Sequence, residues 1–310
     1  MERRTEGASR VDESYTELRP LMFSIAYRMV GSASEAEDIA QEAFLRFYRE
    51  TTEGTEVEQP KAYLSAVTTR LSIDHLRSAR VRRERYVGTW LPEPLVTETE
   101  PDAARHAETA DSLSMGFLVL LEHLTPVERA VFLLREVFAY EYDEIAEVVG
   151  KSEDNCRQIA VRARRHVQDG KPRFEASRER REELARRFFE AVGAGNQEAL
   201  LGLLAADVVA YAFGGGKVVA FPRPVHGRDK VARLLLGRTA SGERAGVASM
   251  RRAEINGQPG ALFLDATGRP VVAVSLDIAD GQVQTLHAVS KPDKLRHLRA
   301  GAARPTGADG

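Results

Sequence analysis

Along the first half of this chain, apolar residues recur at the three-to-four spacing of helices. Only in the last third does the spacing shorten toward the alternation of strands. Leu18, Leu21, Met22, Ile25 and Met29 form a first stripe, closed by Gly31. Ser34 and Glu37 have the spacing of a capping box, and Ala36, Ile39, Ala40, Ala43, Phe44 and Phe47 then follow at helical period. A third helix is predicted over 60–79, with Tyr63, Leu64, Val67, Leu71 and Leu76 inside. Thr125 as cap, Pro126 at the first position and Glu128 three residues after the cap open another helix, which carries Val127, Val131, Leu134, Val137 and Phe138. A short helix over 143–149, a stop at Gly150 and a new cap at Ser152 then make two helices joined by a Gly-containing turn, the pattern of a helix-turn-helix.

Beyond residue 178 the pattern changes. A helix over 178–192 carries Leu184, Phe188, Phe189 and Val192 on one side, and a second helix is predicted over 197–204. Strands are predicted over 208–213, 218–221, 248–255, 261–264, 270–278 and 282–289, with a helix over 229–236 between the second and third. Asp280-Gly281 is a hairpin turn between the last two strands. Helices followed by a bent antiparallel sheet predict an α+β cone. The expected fold is therefore multidomain: two all-α domains, the second holding the helix-turn-helix, followed by that cone. The expected boundaries are 14–87, a linker over 88–111, 112–168, 178–299, and a disordered tail over 300–310 rich in Gly and Ala.

Composition adds little until it is resolved along the chain. At 310 residues and 43% hydrophobic, two or three domains can each bury a core. One cysteine, Cys156, excludes an internal disulfide and fits a reducing cytoplasm; on a helix face it reads as a packing residue. The polar N-terminus and the lack of a long apolar run give the expectation of a cytoplasmic protein without a membrane segment. The net charge of −2 conceals two opposed stretches. From Lys61 to Arg85, seven basic side chains face two acidic ones, a local +5; from Thr89 to Asp111, six acids face one Arg, a local −5. Local patches of this kind steer nucleic acid more than the total does.

The candidate chemistry is that of binding. The second helix of the helix-turn-helix carries Asn155, Arg157 and Gln158 near its start, with Arg162, Arg164 and Arg165 further along. Polar residues at the start of a helix in the major groove read base edges, while arginines hold phosphates. The predicted helix over 60–79 leaves Arg70, His75, Arg77 and Arg80 outside, with Arg82 and Arg83 just beyond, a basic track for a nucleic-acid backbone. The polar face opposite the stripe of the second helix holds Asp38, Gln41, Glu42, Arg46 and Arg49. In the C-terminal cone, Tyr211, His226, Asp277 and His287 are candidates to face a pocket, but no acid/base pair follows from the sequence and the seven histidines show no metal-ligand spacing. No cofactor or metal is expected, and a structural or ligand-sensing role for the cone outweighs catalysis. Gly214, Gly215, Gly216 and Lys217 do not make a phosphate-binding loop, since Tyr211 stands where its first Gly would and Val218 where its Ser or Thr would.

Three stretches together carry a family resemblance: SEAEDIAQEAFLRFYR, then PKAYLSAVTTRLSIDHLRSARVRR, then LTPVERAVFLLREVF with DEIAEVVGKSEDNCRQIAVRARRHV. Over residues 14–168 the chain resembles extracytoplasmic-function sigma factors. The resemblance implies a first domain that opens and holds the −10 promoter element and a second that reads the −35 element. It implies that Asp38, Gln41 and Glu42 dock on the β′ subunit of core RNA polymerase, with β as a further contact, and that Asp74 and Arg77 belong to the −10 site. Arg70 stands where many members have Asn. The segment Trp90, Leu91, Pro92, Glu93, Pro94 resembles the signature of a subgroup bearing a C-terminal SnoaL-like extension of NTF2-like fold. That subgroup carries Asp-Gly-Gly-Gly-Lys/Arg and Asn-Pro-Asp-Lys-Leu motifs. Here Phe213 precedes Gly214–Lys217, and Lys291 precedes Pro292, Asp293, Lys294 and Leu295. The function so implied is promoter-specific initiation under a fused regulatory domain, which could also take a small-molecule ligand. Two alternatives remain open at this point: a stand-alone helix-turn-helix regulator with a ligand-sensing domain, and an NTF2-like isomerase or hydrolase with DNA-binding helices attached.

Overall fold

The computed structural model describes residues 2–53, 55, 57–83, 90–97, 111–168, 177–214, 223–239 and 246–298; within these, the side chains of 2–14, 79–83, 168, 238 and 239 are excepted. The chain divides into two compact units, one formed by 1–86 with 120–170 and the other by 87–119 with 171–310.

The first unit is helical: α1 (Glu2–Val30), α2 (Ala33–Thr52) and α3 (Pro60–Arg83), then α5 (Pro126–Glu136), α6 (Tyr142–Val149) and α7 (Glu153–Gln168), with α4 (Met115–Leu121) leading into it. Gly31 at φ 66° ends α1, and its N–H closes on Tyr27 O at 2.7 Å. The chain reverses so sharply there that Ser32, in extended backbone, caps α2 by accepting from Glu35 N–H at 3.3 Å. The cap is therefore Ser32 and not Ser34, which the spacing of the polar residues had suggested. Helix α3 continues four residues past the expected end, because nothing in Arg80–Arg83 breaks a helix. Met22, Ala40, Ala43, Phe47, Leu64 and Val67 form the core of the three long helices. Thr125 and Glu128 form the expected capping box on α5. Gly150 at φ 65° ends α6, and Ser152 Oγ accepts from Asn155 N–H at 3.3 Å to start α7. Cys156 is buried with Val131, Leu134, Ile145 and Ile159, and burial pushes its thiol above the usual value, so it stays a packing residue.

The second unit packs α8 (Arg178–Gly193), α9 (Gln197–Leu203) and α10 (Arg228–Thr239) against a six-stranded sheet in the order β2-β1-β6-β5-β4-β3. Its strands are β1 (Leu204–Phe213), β2 (Val225–His226), β3 (Ser249–Ile255), β4 (Gln258–Leu264), β5 (Pro270–Ala279) and β6 (Gln282–Val289). The sheet is mixed and not antiparallel throughout: β1 runs parallel to β6, with Tyr211 opposite His287 and Phe213 opposite Val289. The strand expected over 218–221 lies outside the described residues. Asp280 and Gly281, at φ 52° and 68°, make the tight turn between β5 and β6. Successive strand residues face opposite sides. On one side Val208, Ala210, Val274, Leu276 and Leu286 meet Leu184, Phe188, Leu200 and Leu203 of the helices. On the other, Phe213, Leu262, Ala273 and Val289 meet Leu91, Met115, Leu295 and Leu298. Helices closing one face of the sheet in this way give the α+β cone that the sequence pattern predicts.

Candidate functional site

The exposed side of α7 is set by its buried one. Cys156, Ile159, Ala160, Ala163 and Val167 point inward, which leaves Asn155, Arg157, Gln158, Val161, Arg162 and Arg165 in solvent. Among the described residues Arg162 and Arg165 have no ion-pair partner. Arg157 pairs with Glu153 and lies over the Tyr142 ring at 4.8 Å, and Arg164 pairs with Glu136 at 2.5 Å. On α3, Asp74 and Arg77 are exposed and 3.4 Å apart, and His75 lies 3.4 Å from Glu35. The side chains of Arg80, Arg82 and Arg83 lie outside the described residues. Arg70 is exposed yet engaged: its Nε and Nη2 donate to Val148 O at 2.9 Å and Glu147 O at 2.8 Å, the free carbonyls ending α6. Tyr140 donates to Ser65 at 2.6 Å in the same seam, and Arg129 donates to Met29 O at 2.5 Å.

On α2, Asp38 and Gln41 are exposed, and Glu42 is half-buried and accepts from Arg46 at 2.9 Å. Leu45 and Tyr48, 43% and 45% exposed, continue the same face one and two turns on, so it is partly apolar. The sequence reading missed both, although their numbers in the heptad were legible.

The linker anchor is built on the face of the sheet that the helices leave uncovered. Leu91 is fully buried among Leu295, Leu298, Phe213 and Val289. Residues Pro292–Leu295 form a 3-10 turn that buries Lys294, whose Nζ donates to Leu91 O and lies 4.4 Å from the Trp90 ring centre and 4.6 Å from that of Phe213. A cation between two aromatic faces is favourable on both sides. Lys291 also approaches Phe213, at 6.0 Å, so the two residues that depart from the subgroup's motifs meet each other. His297 Nε2 donates to Pro94 O at 2.6 Å. Further on, the linker pairs with the edge strand β3: Asn256 N–H donates to Leu95 O at 2.8 Å and Thr97 N–H to Glu254 O at 3.1 Å. The buried Asn256 side chain accepts from Leu95 N–H at 2.9 Å and donates to Leu113 O at 3.0 Å, so it holds the linker and the residues just after it at once. Asn256 was also missed in the sequence, where Asn256-Gly257 signals only a tight turn. Gly214 is buried, and Gly215, Gly216 and Lys217 lie outside the described residues.

Of the four pocket candidates, three come together. The Tyr211 and His287 rings stack at 5.4 Å, and His287 Nδ1 lies 3.8 Å from Asp277 Oδ2. Asp277 and His287 are buried, which pushes the carboxyl up to about 7, helped by the nearby Asp111 charge, and the imidazole down to about 4. His226 lies apart and exposed on β2. Among the described residues no group of three or more His, Cys, Asp or Glu could hold a metal ion, and no helix is long and apolar enough to cross a membrane.

Residues 14–82 match the family Sigma-70 region 2, and residues 114–167 match Sigma-70, region 4. The ECF RNA polymerase sigma factor SigJ of Mycobacterium tuberculosis is 36% identical over 303 residues, spanning 94% of this chain and 95% of that one. The chain belongs to the extracytoplasmic-function RNA polymerase sigma factors. The probable SigI of the same species is 31% identical over 91% of this chain and 93% of its own length. The crystal structure of the SigJ protein superposes with a TM-score of 0.72 at 34% identity, covering 91% of this chain and 97% of that one. The match runs through the C-terminal cone as well as the helical regions, so this sigma factor carries a further domain, with a mixed six-stranded sheet, at its C-terminal end. Sigma factors bind core RNA polymerase and promoter DNA, and that membership sets aside the stand-alone regulator. For the enzyme reading, the relatives are transcription factors by name.

Proposed function

We propose that this sigma factor directs RNA polymerase, in the cytoplasm, to a narrow set of promoters, and that its C-terminal domain governs it by holding the interdomain linker. In this reading α2 docks on the β′ subunit through Asp38, Gln41 and Glu42, with Leu45 and Tyr48 as the apolar part of the contact, and β supplies further contacts. Helix α3 meets the −10 element through Arg70, Asp74, His75, Arg77, Arg80, Arg82 and Arg83. Helix α7 meets the −35 element, with Asn155, Arg157 and Gln158 on base edges and Arg162, Arg164 and Arg165 on phosphates. Use of Arg70 on DNA requires it first to leave the α6 carbonyls.

One observation carries the regulatory half. Trp90 to Thr97 is held along its whole length by the C-terminal domain, through Lys294, Leu295, His297, Asn256 and Glu254. A free acidic chain of some twenty residues would sample many separations of the two DNA-binding regions, and docking removes that freedom. Nothing in this role asks the protein to do chemistry; Asp277 and His287 sit under the docked linker side of the sheet as buried structure. The test is run-off transcription with core polymerase on a cognate promoter. Promoter-dependent transcripts that change when the linker anchor is loosened support the reading. Tight, specific duplex binding without polymerase would overturn it.

A further inference from the structure

Between α8 and the β3–β4 hairpin lies a cleft of about 370 Å³, the low end of the range for small-molecule sites. Arg178, Arg181, Arg186 and Arg252 line it, against Glu182 and Glu254, while Ala185, Phe189, Pro259 and Gly260 give it an apolar floor. The carboxylates do not balance the guanidinium groups evenly. Arg186 is taken up by Glu183 and Glu190, and Arg178 by Glu182 and Glu254. Arg252 is exposed and, among the described residues, has no ion-pair partner. Arg181 is 4% exposed; its Nη1 donates to Gln258 Oε1 at 3.0 Å and comes only to 4.0 Å from Asp111, and its Nε has no hydrogen-bond partner. A buried guanidinium with an unmade hydrogen bond is costly, and a carboxylate is the group whose two oxygens fit its fork.

We propose that this cleft binds a small-molecule carboxylate on an apolar body, an aliphatic or aromatic acid. Its carboxylate bridges Arg181 and Arg252, and its hydrocarbon part covers Phe189, Ala185 and Pro259. The same walls hold the linker. Glu254 accepts from Thr97 N–H and Oγ1, Gly257 N–H donates to Thr97 Oγ1 at 3.1 Å, and Arg181 faces Asp111. A ligand that draws Arg181 toward its own carboxylate weakens the hold on Asp111, so occupancy is read out at the linker. That consequence rests on the linker-holding function proposed above; the binding site itself does not.

The test is calorimetric titration of the full-length protein with sodium octanoate and sodium phenylacetate, with Arg252→Ser and Arg181→Met variants beside it and thermal melts to check that each is folded. Saturable binding of at least one probe is expected, weakened about tenfold or more by either substitution. Because Arg252 is exposed, its variant keeps the test informative if Arg181→Met fails to fold. The site is overturned by no saturable heat from either probe, by unchanged affinity in Arg252→Ser, or by binding of an acidic peptide with neither probe bound. Trp90 quenching, read in the same titration, tests the readout separately. A bound probe that leaves Trp90 unchanged overturns the coupling to the linker while leaving the site in place.

Discussion

Replacing Asn256 by Gly isolates what holds the linker. The residue sits at φ 54°, in the left-handed region, where Gly is at least as comfortable as Asn, so the backbone keeps its course and the bond from residue 256 N–H to Leu95 O survives. Only the side chain is lost, and with it the partners of Leu95 N–H and Leu113 O at 2.9 and 3.0 Å. Stranding a backbone group costs about 1–3 kcal/mol, toward the low end where the group is half-buried, as at Leu95. Two of them give about 2 kcal/mol at the least, which is roughly a thirtyfold increase in the local opening of the linker. The loss falls on the docked segment, because Leu95 N–H and Leu113 O are the groups this side chain satisfies.

Amide hydrogen exchange reads this directly. In Asn256→Gly the Leu95 amide should exchange about thirtyfold faster or more. Amides of α8 should keep their protection, and Trp90, the only tryptophan, should become more accessible to a soluble quencher. Asn256→Ala should lose the same bonds and about 1 kcal/mol more for the left-handed backbone. Transcription with core polymerase should change in step with Leu95 exchange. Unaltered Leu95 protection and Trp90 quenching would refute the assignment of Asn256 as the residue holding the linker.

Charge reversal at Asp38 and Glu42 together should abolish co-purification with core polymerase and leave the melting temperature within a few degrees, since neither side chain is in the core. Gln158→Ala should shift preference at particular −35 bases by about 1–3 kcal/mol, whereas Arg165→Ala should weaken all sequences alike and reduce the salt slope by about one; uniform effects from both would mean that α7 holds phosphates without reading sequence. Asp277→Asn should change stability in a pH-dependent way, seen by thermal melts at pH 5 and pH 8. The Asp277 carboxyl, raised from 3.8 to about 7, contributes stability that is lost as pH rises toward 7, while the His287 imidazole, lowered from 6.5 to about 4, loses stability as pH falls through that same interval. The two oppose each other between about pH 4 and 6.5, and above that only the Asp277 cost remains, on the order of 4 kcal/mol at most, so the substitution should be more favourable at pH 8 than at pH 5. An equal effect at both pH values would refute the burial of an ionisable pair there.

The helices of this protein were legible because their signals are local. Ser152, Gly150 and the Thr125–Glu128 box lie within one turn of what they cap, and the stripes of α2 and α5 repeat at helical period. The α2 start was misplaced by two residues because Ser32 and Ser34 are both plausible caps, and only the sharp reversal at Gly31 chooses between them. The parallel pairing of β1 with β6 was not legible, since alternation in a strand says which faces it has and not which strand lies beside it. Long-range polar contacts were the least visible. Arg70 reaches carbonyls 77 and 78 residues away, and Asn256 reaches Leu113 across 143, with no residue pattern that announces a backbone partner. Trp90 and Leu91 stood out for a simpler reason: two large apolar residues in an acidic, proline-broken stretch have no local face to bury.

The position of the anchor supports the linker-holding role proposed for the cone. Helices cover one face of the sheet and fill it with Phe188, Leu200, Leu203 and their neighbours, a core in which the linker takes no part. That second face carries Phe213, Leu262, Ala273 and Val289, too apolar to be left in water, and the chain's own Leu91, Met115, Leu295 and Leu298 cover it. Burial of Leu91 supplies about 1.5–3 kcal/mol, and the bonds at Asn256 and Lys294 give the docking a register that apolar contact alone would not. Each of these contacts is worth at most a few kcal/mol. That is the scale of one ligand, one protonation or one competing protein surface, so the docked state can be both well defined and reversible.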